Sequence, residues 1–258
     1  MQLVQSFHLI ATFLFVLGSA VVGIRLVLLS RRTREQPELF LGCAILGAAV
    51  LGYGVLIAGM IVRGGNTDPE AVSTLAMVLS AVGKTLHDLG VTFFFLFILR
   101  VFRQGETWAY ALTALAMVLL WGGMGWGMAT GSLRIEAVGS VAWWCEYAVI
   151  WTYPLWLGAE SLRYWRMMKR RVALGFGEPM VTNRFALWGV GSVFSALAIW
   201  TASIPFLLLD RPELSASLMP VIHVATAVAG VASVSCSYLA FLPPAWFVRR
   251  VSGAAAAD

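Results

Sequence analysis

The amino-acid sequence predicts an all-α integral membrane protein: a bundle of seven transmembrane helices with its N-terminus outside and its C-terminus in the cytoplasm. Three observations carry that prediction. The 258 residues are 60% hydrophobic and only 12% charged, with a mean hydropathy of +0.83, a balance that soluble globular domains do not have. Seven apolar stretches each reach the length, about 20 residues, that crosses a hydrocarbon core of about 30 Å. Basic residues crowd into alternate connections between those stretches.

The spans are expected near residues 6–29, 39–62, 74–99, 108–129, 137–160, 185–209 and 216–242, all within one membrane domain over residues 1–244. Each must be helical, because lipid offers no partner for open backbone groups. The first runs from Phe7 to Leu29 with no basic n-region before it and no small-residue cleavage site, so it reads as a retained helix. The second carries Ala44, Ala48 and Gly52 at four-residue spacing, and the fourth carries Gly123 and Gly127. Small residues so spaced let helix backbones approach closely. Turn residues mark the connections: Gln36-Pro37, the run from Gly64 to Pro69, Gln104-Gly105 and Asp210-Arg211-Pro212. Residues 161–184 make the longest connection. After Pro243-Pro244, residues 245–258 read as a short interfacial amphipathic segment and a disordered tail.

Orientation follows from the cations. Arg31, Arg32, Arg34, Arg100, Arg103, the cluster from Arg163 to Arg171, Arg184, Arg249 and Arg250 place thirteen basic residues on one face. Arg63, Arg134 and Arg211 leave three on the other. That asymmetry assigns the basic face to the cytoplasm. The net charge of +5 therefore needs no nucleic acid to explain it. Sixteen arginines against two lysines, with abundant alanine and glycine, fit a GC-rich bacterial genome and hence a bacterial inner membrane. Spans one to three and five to seven also suggest a 3+1+3 repeat. Each triplet's first connection is basic and contains a Pro–Glu neighbour pair (Pro37-Glu38, Glu178-Pro179), and each third span has a histidine, His87 or His223. Opsin-like and GPCR-like proteins have the same helix count and orientation, an analogy of architecture that assigns no function.

Ionisable groups in the spans point to a site. Lys84, His87 and Asp88 fall within an arc of roughly 100° on the third span, so they share one helix face. Such groups are costly at that depth and turn towards a protein interior, a cavity or one another. Glu146 lies deep in the fifth span, flanked by Trp143, Tyr147 and Tyr153, with Pro154 removing a backbone hydrogen bond nearby. A carboxylate among aromatic faces suits a small cationic ligand; pairing of Glu146 with Lys84 is the plainer alternative. On the seventh span His223, Thr226, Gly230, Ser233 and Ser237 form one polar stripe. It serves either as a ligand-facing wall or as helix packing. Ser192, Ser195 and Ser203 make a fainter stripe on the sixth, read as packing.

No cofactor is predicted. Retinal needs a Schiff-base lysine, and the seventh span has none. His87 and His223 could ligate a haem as a lesser alternative, and His87, Asp88, Glu146 and His223 have metal-ligand chemistry without a diagnostic spacing. Cys43, Cys145 and Cys236 all fall in apolar stretches, against a disulfide framework. No nucleophile or substrate-binding motif is visible, so no enzyme is expected. The leading functional expectation is a receptor-like or sensory protein with a polar small-molecule or proton site built from Lys84, His87, Asp88, Glu146 and His223. A proton-coupled small-solute transporter is the alternative. Expected partners are membrane lipids, a small cation, and a cytoplasmic protein at the basic face; nucleic acid is not among them.

Overall fold

A computed structural model describes residues 2–64, 73–130 and 139–254, and among these every regular element is helical. The elements are α1 (Gln2–Thr33), α2 (Gln36–Ile45), a π-helical segment (Leu46–Gly52), α3 (Tyr53–Arg63), α4 (Thr74–Phe102), α5 (Thr107–Ala129), α6 (Val141–Ala173), α7 (Pro179–Leu207), α8 (Pro212–Phe241) and α9 (Ala245–Ala254). Part of the expected turn at Gly65–Pro69, Arg134, the start of the fifth span at residues 137–138, and residues 255–258 of the tail lie outside the described residues.

Among the described residues, six helical stretches are long and apolar enough to cross a membrane: α1, the continuous run Gln36–Arg63, α4, α5, α7 and α8. The protein is thus an all-α, multi-pass membrane protein in character. α6 has ample length, about 50 Å at 1.5 Å per residue, but is less apolar. Trp143, Trp144, Glu146, Tyr147, Trp151 and Tyr153 dilute its aliphatic residues. It also does not stop where its apolar residues do. The expected connection from residue 161 is helical to Ala173, because long basic side chains tolerate a helix that carries on into the interface.

Proline and serine set several helix starts. Pro37, Pro179 and Pro212 stand in the first turns of α2, α7 and α8, where a missing N–H has no helical partner to lose. Ser73 caps α4, its Oγ accepting from Ala76 N at 3.2 Å, and Gly64 closes α3 in the left-handed conformation, φ 64°.

The chain forms two compact units, Ser19–Val149 and a second made of Met1–Gly18 with Ile150–Asp258. In the first unit, the run Gln36–Arg63 lies backbone to backbone against α4. A Cβ added to Gly47 would sit 2.8 Å from Gly90 Cα, and one added to Gly52 would sit 2.6 Å from His87 Cα. Ala44 and Ala48 are buried there too. The small-residue stripe is therefore a packing seam, as its spacing implies. The π-helical turn was not anticipated. Its wider winding brings residues five apart, Gly47 and Gly52, onto the α4 side together.

In the second unit, α7 and α8 are clasped by hydroxyl pairs. Ser195 Oγ and Ser233 Oγ lie 2.7 Å apart, and Thr201 Oγ1 and Thr226 Oγ1 lie 2.8 Å apart. Trp151 Nε1 donates to Ser203 Oγ at 3.1 Å, joining α6 to α7. The aromatic pairs Tyr164–Phe185 (5.4 Å) and Trp188–Phe241 (5.0 Å) bring the basic half of α6, the start of α7 and the end of α8 to the same end of this unit.

Candidate functional site

Helical geometry alone puts Lys84 and Asp88 one turn apart on α4, and the structure joins them: Lys84 Nζ lies 3.3 Å from Asp88 Oδ2. His87 Nδ1 donates to the other carboxylate oxygen, Oδ1, at 3.2 Å. Lys84 Nζ also pairs with Glu146 Oε2 on α6. One ammonium group therefore serves two carboxylates, and an imidazole completes the set. Asp88 is fully buried, while Lys84 and Glu146 each keep 15% of their side-chain surface exposed, so burial is deepest at the aspartate end of the network. A lysine placed before its aspartate is the weaker i,i+4 order in an isolated helix. The pair is held by burial and by α6, not by α4 alone.

Further contacts fix the arrangement. Thr92 Oγ1 donates to the Asp88 carbonyl at 2.8 Å and accepts from Trp121 Nε1 on α5 at 3.1 Å. Beside Glu146, the Trp143 and Tyr147 rings stack with centroids 4.2 Å apart and planes 20° from parallel. Ser140 steadies that end of α6 by accepting from Trp143 N at 3.2 Å. Gly123 on α5 admits α6 closely, an added Cβ there falling 3.1 Å from the Ala142 carbonyl and from Cys145 Cβ.

Lys84, His87, Asp88 and Glu146, with Trp143 and Tyr147, are therefore brought together in one unit. His223 and Tyr153 belong to the other. Tyr153 is buried on α6. The His223 ring stacks on His8 with centroids 4.7 Å apart, and His8 Nδ1 donates to the His223 carbonyl at 3.3 Å. Thr226 and Ser233 of its stripe are engaged with α7, as packing requires. Among the described residues no group of three or more His, Cys, Asp and Glu side chains is placed to hold a metal ion.

Sequence reasoning missed His8, Trp121, Thr92 and Glu160. His8 is one of only three histidines, the one signal it offered. Glu160, buried on α6, accepts from Trp156 Nε1 at 3.2 Å and lies 3.9 Å from Arg163 Nη1. Their spacing at i−4 and i+3 on one helix is the signal that the sequence carries for these contacts. No protein-family model, curated protein or solved structure matches this chain. The charge network is what the functional reading rests on.

Proposed function

We propose that this is a receptor-like, sensory membrane protein whose core network, Lys84, His87, Asp88 and Glu146, responds to a proton or a small polar ligand. One observation carries the reading: a single ammonium is shared by two carboxylates. With Lys84, Asp88 and Glu146 all ionised, the cluster has one negative charge in excess. An unbalanced charge in an apolar interior is costly. One proton, on His87 or on a carboxylate, restores neutrality; so does a small cation that reaches Glu146 beside the Trp143–Tyr147 stack. Occupancy of that place changes the attraction between α4 and α6, and so couples the site to helix packing.

In this reading α6 is a seventh crossing, supported by its length and by its contact through Glu146 with α4. The N-terminus is outside and the C-terminus cytoplasmic, as the thirteen-to-three distribution of basic residues favours. The arginine-rich composition fits a bacterial inner membrane. Any cytoplasmic protein partner would meet the basic face.

Infrared difference spectroscopy on the protein in lipid nanodiscs tests the proposal. A pH step should produce or remove the carbonyl stretch of a protonated carboxyl, and either Asp88→Asn or Glu146→Gln should abolish it. Absence of any titrating carboxyl or imidazole signal rejects a proton-responsive site. A second reading, proton-coupled transport, is favoured by the π-helical segment lying against α4 at His87, since irregular helix turns gather at sites that move. Solute uptake into proteoliposomes under an imposed proton gradient separates it from the sensory reading.

A further inference from the structure

On the outward face of α6, Ala159, Leu162, Arg163, Arg166, Met167 and Arg170 line an open cleft of about 490 Å³. The three arginines stand at i, i+3 and i+7, so their guanidinium groups follow one helix face over about 10 Å. Arg163 has Glu160 at 3.9 Å. Among the described residues no carboxylate pairs with Arg166 or Arg170, and Lys169 is turned aside, over the Trp165 ring at 5.8 Å. The cleft therefore gathers three planar cations, of which Arg166 and Arg170 have no carboxylate beside them among the described residues.

Its surroundings are ordered along the helix. Towards the middle of α6 the same surface is apolar, with Leu155 exposed, then Ala159 and Leu162; the other side of Leu162 meets Gly189 on α7. Towards the end it becomes basic. Apolar first and cationic last is the layout that an acyl chain and its phosphate need at a membrane interface. Guanidinium forks bind phosphate oxygens in pairs, which a lysine ammonium does not. An acidic soluble polypeptide would use the arginines and leave the apolar strip unexplained.

We infer that the α6 cleft binds the phosphate headgroup of an anionic phospholipid, through Arg163, Arg166 and Arg170, with an acyl chain lying along Leu155, Ala159 and Leu162. The site is independent of the core network and holds for either orientation of the protein.

The test is native mass spectrometry of the full chain in detergent, titrated with phosphatidylglycerol or phosphatidylcholine. Phosphatidylglycerol should bind at least about tenfold more tightly. The triple variant Arg163→Gln/Arg166→Gln/Arg170→Gln should lose on the order of 100-fold in that affinity, about fivefold per charge removed. Arg249→Gln/Arg250→Gln, on α9 and outside the lining of the cleft, should leave it within about twofold of wild type, because neither guanidinium meets the bound phosphate. Equal binding of phosphatidylcholine overturns the inference. So does equal loss in the control variant, which would reduce the effect to diffuse surface charge. Displacement of the lipid by inorganic phosphate or by polyglutamate overturns it in favour of a free anion or an acidic protein. Should the triple variant fail to fold, Arg166→Gln alone decides: unchanged phosphatidylglycerol affinity rejects the site.

Discussion

Gly52 lies against the backbone of His87, so close that a Cβ on Gly52 would fall 2.6 Å from both His87 Cα and His87 N. The packing seam between the second apolar run and α4 is thus pressed onto the very residue whose neighbours form the charge network. Gly52→Ala should force the helices apart and shift His87 relative to Asp88. The expected loss is about 1–3 kcal/mol, as for other overpacked cores. Gly54→Ala, two residues on with open space around it, should be neutral or slightly stabilising, by about 0.5–1 kcal/mol. Thermal unfolding of both variants in detergent checks the pair, and equal midpoints would mean that the seam is not tight.

Removing the shared cation should strand both carboxylates. Lys84→Met is expected to cost on the order of 3–5 kcal/mol, the usual penalty for leaving a buried charge unpaired. Lys84→Met/Glu146→Gln should recover part of that, because only Asp88, still held by His87, then remains charged. An unchanged midpoint for Lys84→Met would place the lysine in water rather than in the network.

The same vacancy offers a chemical test of the Glu146 environment. Small primary amines added to Lys84→Met should raise its melting temperature, since an ammonium can replace the lost Nζ beside Glu146 and the Trp143–Tyr147 stack. The response should vanish in Lys84→Met/Glu146→Gln. Equal rescue by neutral alcohols of similar size would reduce the effect to cavity filling.

Orientation can be read directly. A reporter fused after Asp258 that is active only in the cytoplasm should be active, since Arg249 and Arg250 adjoin that end. A signal from the opposite side of the membrane would break either the count of crossings or their direction.

Much of this was legible without coordinates because it is local. Apolar length forces helices in lipid, and the i, i+3, i+4 rule puts Lys84, His87 and Asp88 on one face; Pro37, Pro179 and Pro212, which the sequence places in connections, instead stand in first helical turns. Pairing of Lys84 with Glu146 was one of two readings that the sequence allowed for that carboxylate. The polar stripes on α7 and α8 were equally plain as stripes, although their use in clasping one helix to the other was not.

By itself, then, the sequence determined the helical, membrane-embedded character of the protein and which ionisable groups share a face. Those properties depend on neighbours within a turn or two, and on the demand of lipid that every backbone group be satisfied within the helix. Tertiary structure alone decided the rest: that the second apolar run unwinds to a π-helical turn at Leu46–Gly52, that His223 stacks on His8 across 215 residues of chain, and that Trp121 reaches Thr92 behind Asp88. Periodicity says which way a side chain faces. Which partner it meets depends on how helices distant in the chain approach one another, and that is set by the fit of small residues such as Gly47, Gly52 and Gly90, whose contacts no local pattern records.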